Sequence, residues 1–444
     1  MASSTQETTL LHSGMTEAVL SELDLHGLPP VNLCTIDNRV LEKPPVNALQ
    51  DDGETFEINF EPSDLYTDLS ETELTFDFKC VNETSGVALA VAKTSGPVSN
   101  LFHSLYESIQ VLVNNEKITG NNEDYAYKAW IANLIDTTKH RKESVLCNTQ
   151  LYVADTPGQC DTADAANTGF VKRRKIAAGG NWKTLTGRLC LDIVDQHKYI
   201  PPHTALRFIF TRSKPNFYMM ETGADSFKIN IRNPKLSLRR IAVADMTVVD
   251  HANHIKSMGP FNYDINRRKV TQYTLQQGAA EHQIQALDSN QIPERIIIGL
   301  VDKDAASGTK GKNPFNFQHY KLEEIDVSYN DKKISIKADF DGNNAVKAFH
   351  QFLVESGVYN LGKDIGVNYK AFLSGTTLFA FDLTPDRAPE DAYRKNLVKY
   401  GTLLYTFKFK DNLPNAVAVI VFSQYDNLIQ IDGSGHVVTD YNML

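Results

Sequence analysis

Residues 100–118, NLFHSLYESIQVLVNNEKI, have a second version far along the chain, NFQHYKLEEIDVSYNDKKI at residues 316–334. At a constant offset of 216 the two share Asn100/Asn316, His103/His319, Glu107/Glu323, Ile109/Ile325, Val111/Val327, Asn114/Asn330, Lys117/Lys333 and Ile118/Ile334. These are 8 identities in 19 positions, where chance gives about one, and they signal an internal repeat. The offset is close to half of the 444 residues, so the repeated unit has the size of a domain.

Both copies read as β-hairpins. Ile109, Val111 and Val113 alternate with polar residues, and Asn114-Asn115 forms a tight turn because asparagine tolerates positive φ. Lys117 and Ile118 begin the return strand. In the second copy Ile325, Val327 and Tyr329 lead into Asn330-Asp331, and Ile334 and Ile336 return. A helix is predicted after each hairpin. NNEDYAYKAWIANLI places Tyr127, Trp130, Ile131, Leu134 and Ile135 on one face, with Asn121 or Asn122 as N-cap and Glu123 and Asp124 at the positive end. NNAVKAFHQFLVESG makes a stripe of Ala345, Phe349, Phe352 and Leu353, with Gly357 as its stop.

The echo continues. LCLDI (189–193), a proline-containing loop and LRFIF (206–210) match FAFDL (379–383), a proline-containing loop and LLYTF (403–407). Further strands follow from alternation: Leu74, Phe76, Phe78 and Cys80; Leu185, Leu189, Leu191 and Ile193; Leu206, Phe208 and Phe210; Tyr405, Phe407 and Phe409. PERIIIGLVD (293–302) is apolar throughout and reads as a strand buried on both faces.

This pattern predicts an all-β protein of two tandem eight-stranded antiparallel jelly-roll sandwiches, each with a short helix insertion. Residues 1–53, with LPP and KPP and little periodicity, are expected to form an extended N-terminal arm. Residues 54–246 form the first jelly roll and 247–444 the second, with 247–268 as a connector.

Composition narrows the function. A net charge of −9 argues against nucleic acid as the main partner. The N-terminus has no basic start or sustained apolar run, so neither a secretory signal nor a membrane-spanning segment is expected. Cys34, Cys80, Cys147, Cys160 and Cys190 form no CxxC pair and read as reduced thiols.

Catalytic, cofactor and metal constellations are not found. SGTKGKN (307–313) lacks phosphate-loop spacing and reads as a solvated loop. DFDGNN (339–344) begins like a calcium loop, but position twelve is His350 where a bidentate Glu belongs, so it reads as a turn. The twelve histidines show no metal-ligand spacing, and His103 and His319 read as hydrogen-bonded packing residues. Carboxylates are plentiful, but none is singled out as an acid/base pair. Lys172-Arg173-Arg174-Lys175 is the densest basic run. It reads as a loop that is either simply exposed or serves nuclear import or contact with enclosed nucleic acid.

In combination, SELDLHGLPP (21–30), GPVSNLFHSLYESIQVLVNNEKI (96–118), FVKRRKI (170–176), IPERIIIG (292–299), KNPFNFQHY (312–320), LFAFDLTPD (378–386) and SQYDNLIQID (423–432) resemble the major capsid proteins of Polinton (Maverick) elements and adintoviruses, from about Ser21 to the C-terminus. The resemblance implies a double jelly roll and a non-enzymatic structural role. It implies a homotrimeric, pseudo-hexameric capsomer that joins neighbouring capsomers and a penton protein in an icosahedral shell around double-stranded DNA. It implies a virion component made in the host cytoplasm, with the nucleus as a candidate place of assembly. The alternative is a two-jelly-roll glycan-active enzyme or a carbohydrate-binding protein. The first is disfavoured by the lack of a secretory signal, the second by only two tryptophans.

Overall fold

A computed structural model of the chain describes residues 31–47, 54–91, 93–120, 124–223, 225–286, 291–342, 344–387 and 395–441, together with Leu23, Leu25 and Leu28. The expected N-cap, Asn121 or Asn122, the acidic Glu123 after it, and most of residues 1–30 lie outside these. The strands are β1 (Thr35–Lys43), β2 (Thr55–Phe60), β3 (Tyr66–Asn82), β4 (Ser95–Pro97), β5 (Tyr106–Val113), β6 (Glu116–Lys117), β7 (Lys183–Arg188), β8 (Leu206–Arg212), β9 (Met219–Glu221) and β10 (Phe227–Val243) in the first lobe. The second lobe has β11 (Phe261–Leu275), β12 (Glu281–Ala286), β13 (Arg295–Asp302), β14 (Leu322–Tyr329), β15 (Lys332–Lys337), β16 (Leu378–Asp382), β17 (Leu403–Phe409), β18 (Val417–Ile431) and β19 (Val437–Thr439).

Each lobe is a pair of facing sheets. In the first lobe the orders are β1-β10-β3-β7 and β2-β8-β5-β6, with β4-β9 as a separate ribbon. In the second they are β11-β18-β13-β16 and β12-β17-β14-β15, with β19 added beside β18. Leaving β4 and β9 aside, the strands of both lobes fall in the order 1-8-3-6 and 2-7-4-5, the jelly-roll arrangement. The protein is a double jelly roll. The 216-residue offset carries β5 onto β14 residue for residue. In both hairpins a two-residue loop joins the strands, with Val113 opposite Glu116 and Tyr329 opposite Lys332. Asn114, Asn115 and Asn330 have φ of 50°, 69° and 49°, the left-handed conformation that favours asparagine here.

Alternation builds the cores. Leu74, Phe76, Phe78 and Cys80 of β3 are buried, as are Phe208 and Phe210 of β8 and Tyr405, Phe407 and Phe409 of β17. β13 is central, pairs with β16 and β18, and is buried from Arg295 to Val301.

The structure corrects several expectations. Residues 35–43, expected within the arm, form β1, paired antiparallel to β10 from Thr35↔Val243 to Lys43↔Leu236. β1 is an edge strand exposed along most of its length, so it carries no buried alternation to reveal it. The connector is narrower than 247–268: a helix, Asp245–Met258, joins the lobes, and residues 261–268 already belong to β11. LCLDI is not a strand. β7 ends at Arg188, the chain turns through Asp192–Asp195, and the buried Leu189, Leu191 and Ile193 pack from irregular backbone and a single helical turn.

The first post-hairpin helix, Tyr125–Asp136, is buried on nearly all sides, where one stripe was expected. The cause is the second lobe. Its segment 312–317 lies across the helix, with Phe315 stacked on Trp130 (ring centroids 5.7 Å apart) and Phe317 4.9 Å from the same ring. Phe317 in turn covers Gly299 of β13, where a Cβ would stand 2.3 Å from the phenyl ring. The equivalent helix of the second lobe, Val346–Glu355, buries Ala348, Phe352 and Glu355 against its own sandwich. Gly357 follows it at φ 77°.

Candidate functional surfaces

Polar contacts lock the seam between the lobes around that aromatic cluster. Asn313 is buried and donates to Asp155 Oδ2 at 2.9 Å, while its backbone N–H donates to Asp161 Oδ1 at 2.7 Å. Asn316 Nδ2 donates to Asp161 Oδ2 at 2.7 Å. Lys310 reaches Glu83 and Glu221, each at 3.3 Å. The SGTKGKN segment is therefore not a free solvated loop but part of the seam. At the end of the first post-hairpin helix, Asp136 pairs with Arg268 of β11 at 2.9 Å. The helix-bearing insertions also meet: Lys139 N–H donates to Asp364 O at 2.7 Å and Gly158 N–H to Ser374 O at 3.0 Å.

The basic run is not a loop. It lies in the helix Thr168–Ala177, whose N-cap Asn167 accepts from Phe170 N–H. Arg173 is fully buried, pairs with Asp155 at 2.6 Å, and donates to Pro97 O at 2.9 Å and Val153 O at 2.6 Å. Arg174 donates to Lys93 O and lies over the Phe170 ring. Only Lys172 and Lys175 are exposed, Lys172 at the mouth of a cavity, so the four residues do not form one basic patch.

The repeated histidines are packing residues in both lobes. Buried His103 bonds Tyr125 Oη through Nδ1 at 2.8 Å and Gln150 Oε1 through Nε2 at 3.2 Å. The glutamine oxygen only accepts, so the network assigns the proton to Nε2. Burial pushes the His103 pKa down to about 3. His319 stacks on Phe340, centroids 4.2 Å apart, and accepts from Lys321 N–H.

In the DFDGNN turn Asp339 accepts from Gly342 N–H three residues on, which holds the turn closed. Among the described residues no three His, Cys, Asp or Glu side chains gather as a metal site would require. Glu294 is raised well above the usual carboxylate range by burial and by the neighbouring Asp426. The space beside it is only about 20 Å³, and Asp426 is held by Lys395 at 2.7 Å. Nothing in the sequence marked this pair, which forms only when residues 294 and 426 come together in the fold.

Among the described residues the N-terminal part of the chain carries several exposed apolar side chains, of which Ile36 and Val40 lie on the edge strand β1. Leu23, Leu25, Leu28, Val31, Leu33, Ile36 and Val40 are all more than half exposed, between 66% and 91%. The linking helix Asp245–Met258 begins beside it, where Ala244 N–H donates to Cys34 O at 2.9 Å, and this helix buries none of its residues. Its Met246, Val249 and Met258 are exposed. No helix among the described residues is long and apolar enough to cross a membrane.

Comparison with known proteins shows the same architecture elsewhere. No protein-family profile matches the chain. An uncharacterized protein of Caenorhabditis elegans is 22% identical over 427 residues, spanning 93% of this chain and 99% of that protein. A chain of the Sputnik virophage superposes with TM-score 0.64 at 10% identity, covering 97% of this chain and 94% of that one. The mavirus major capsid protein gives 0.53 at 11% identity over 99% and 96%, and the Faustovirus major capsid protein 0.54 at 9% over 95% and 94%. The likeness extends over both lobes and establishes the fold.

Proposed function

We propose that this chain is a major capsid subunit, with no enzymatic role. The single observation that carries the reading is that two sandwiches of identical strand order are fused into one body by an aromatic seam. A shell requires such tiles. The likeness over the full chain to the mavirus and Faustovirus major capsid proteins supports it. Three copies then place six similar sandwiches around one axis, a homotrimeric capsomer with a pseudo-hexameric outline. Such capsomers tile an icosahedral shell around double-stranded DNA, with a penton protein at the vertices, as part of a virion; kinship to Polinton and adintovirus capsid proteins belongs to the same reading. The exposed Val31, Leu33, Ile36 and Val40 and the linking helix are surfaces for contact between subunits. Within the basic run, Lys172 and Lys175 are the residues available for nuclear import or for contact with enclosed nucleic acid.

Solution mass tests the reading. A trimer of about 150 kDa, three times 49.6 kDa, that forms closed particles in negative-stain micrographs is the expected result; a monomer with affinity for glycans overturns it. The arm is proposed to link capsomers. Because β1 starts at Thr35, the informative truncation removes residues 1–30 and spares the sheet. Trimers should survive it and shells should not, as sedimentation and micrographs will show.

A further inference from the structure

We propose that the cavity between the two helix-bearing insertions binds a long-chain carboxylate, its tail against the aromatic seam and its head group toward Lys139, Lys142 and Lys172. The cavity measures about 480 Å³, within the ~300–1,000 Å³ span of small-molecule sites. It opens between residues 130–172 of the first lobe and residues 315 and 365–376 of the second. Trp130, Leu134, Phe315, Ile365 and Val367 supply an apolar wall.

The charges around it do not cancel. Three lysines face it, against Glu143 and Asp155. Asp155 is already committed: Oδ1 takes Arg173 at 2.6 Å and Asn167 at 2.8 Å, and Oδ2 takes Asn313 at 2.9 Å. Glu143 is exposed to solvent at the rim. Lys142 is buried, and its ammonium donates to Leu134 O at 2.7 Å and Ile365 O at 2.8 Å, one carbonyl from each lobe. An ammonium has three N–H groups; two meet these carbonyls, and the nitrogen also lies 5.9 Å from the centre of the Tyr152 ring, which lines the same cavity. Carbonyls satisfy hydrogen bonds without neutralising charge, and burial pushes the Lys142 pKa down to about 7, with Asp364 and Asp136 opposing the shift. A bound carboxylate would restore the full positive charge.

The two halves of the cavity select the ligand class together. A small inorganic anion leaves the apolar wall wet, and a neutral lipid leaves the lysines unanswered. An anionic single-chain amphiphile satisfies both. Because both lobes contribute walls, its binding also stabilises the fused body by mass action.

The full-length chain carries two tryptophans, Trp130 in the cavity wall and Trp182 elsewhere, over which Arg232 stacks at 4.2 Å. Trp182→Phe leaves Trp130 as the sole reporter. Titration with a dibrominated stearate should quench it saturably, and the dibrominated alcohol of equal chain length should bind about tenfold more weakly. Lys142→Met should remove most of that difference, and Val367→Phe, which fills the cavity, should abolish quenching with the melting curve retained. Absent or unsaturable quenching, equal binding of acid and alcohol, or quenching that survives Val367→Phe overturns the proposal. Should Lys142→Met not fold, the acid–alcohol comparison and Val367→Phe still decide.

Discussion

His103 and His319 occupy matching places in the two lobes, yet the first is enclosed by Tyr125, Gln150 and Phe102 while the second lies under a single phenyl ring. The folded pKa of His103 is depressed from 6.5 to about 3. The unfolded chain therefore binds a proton there that the folded chain does not, and the stability this site contributes is present above pH ~6.5 and lost as pH falls toward ~3. Urea titrations across that window should show the loss. His103→Gln, which cannot titrate, should be less stable at pH 7 but flatter with pH. Arg173 offers a second test. Replacing it with Met leaves Asp155 buried without its cation and should cost about 3–5 kcal/mol by urea unfolding, whereas Lys172→Ala and Lys175→Ala should each stay within about 0.5 kcal/mol. A packing role for the histidines was legible because a repeated residue in a repeated fold needs no chemistry. The fate of Arg173 was not: adjacent basic letters look alike, and only the helix turns one inward. The signal was available in Asn167, an N-cap three residues before Phe170, with Phe170, Arg173 and Ala177 on one face.

Among the elements, the hairpins were the most legible, because turn chemistry and two-residue alternation both act locally. Their shared asparagines make the requirement measurable. At Asn330, φ 49°, Gly should be tolerated and Val should cost about 1–3 kcal/mol in thermal or urea unfolding, since a β-branched side chain resists that backbone. Strands were missed or misplaced where alternation and burial part company. β1 is paired along its length, with one register shift between Thr35 and Asp37, and has almost no buried side chains. The 189–193 stretch has buried side chains on irregular backbone, because Leu189 and Leu191 enter the core just as the chain leaves the sheet. Hydropathy reads burial, and only hydrogen bonding defines a strand.

For the molecule as a whole, the duplication was visible in 19 aligned positions, but the seam was not. Trp130 and Phe315 are 185 residues apart, and no local period links them. The seam predicts one cooperative calorimetric transition for the full chain. Phe315→Ala should cost about 3–5 kcal/mol and, by emptying the contact between lobes, split that transition into two. Glu294, raised beside Asp426, faces a space too small for a sugar, so this pair gives the glycan-active alternative no support.

The two lobes share a strand order but not their ornaments. Between β6 and β7 the chain spends 65 residues (118–182), and between β15 and β16 only 40 (338–377). A ring of three such chains would thus alternate heavily and lightly decorated lobes, and its true symmetry would be that of a triangle. A neighbouring ring could sense which kind of lobe it abuts, so a sheet of these tiles would carry an orientation that a strict hexagon lacks.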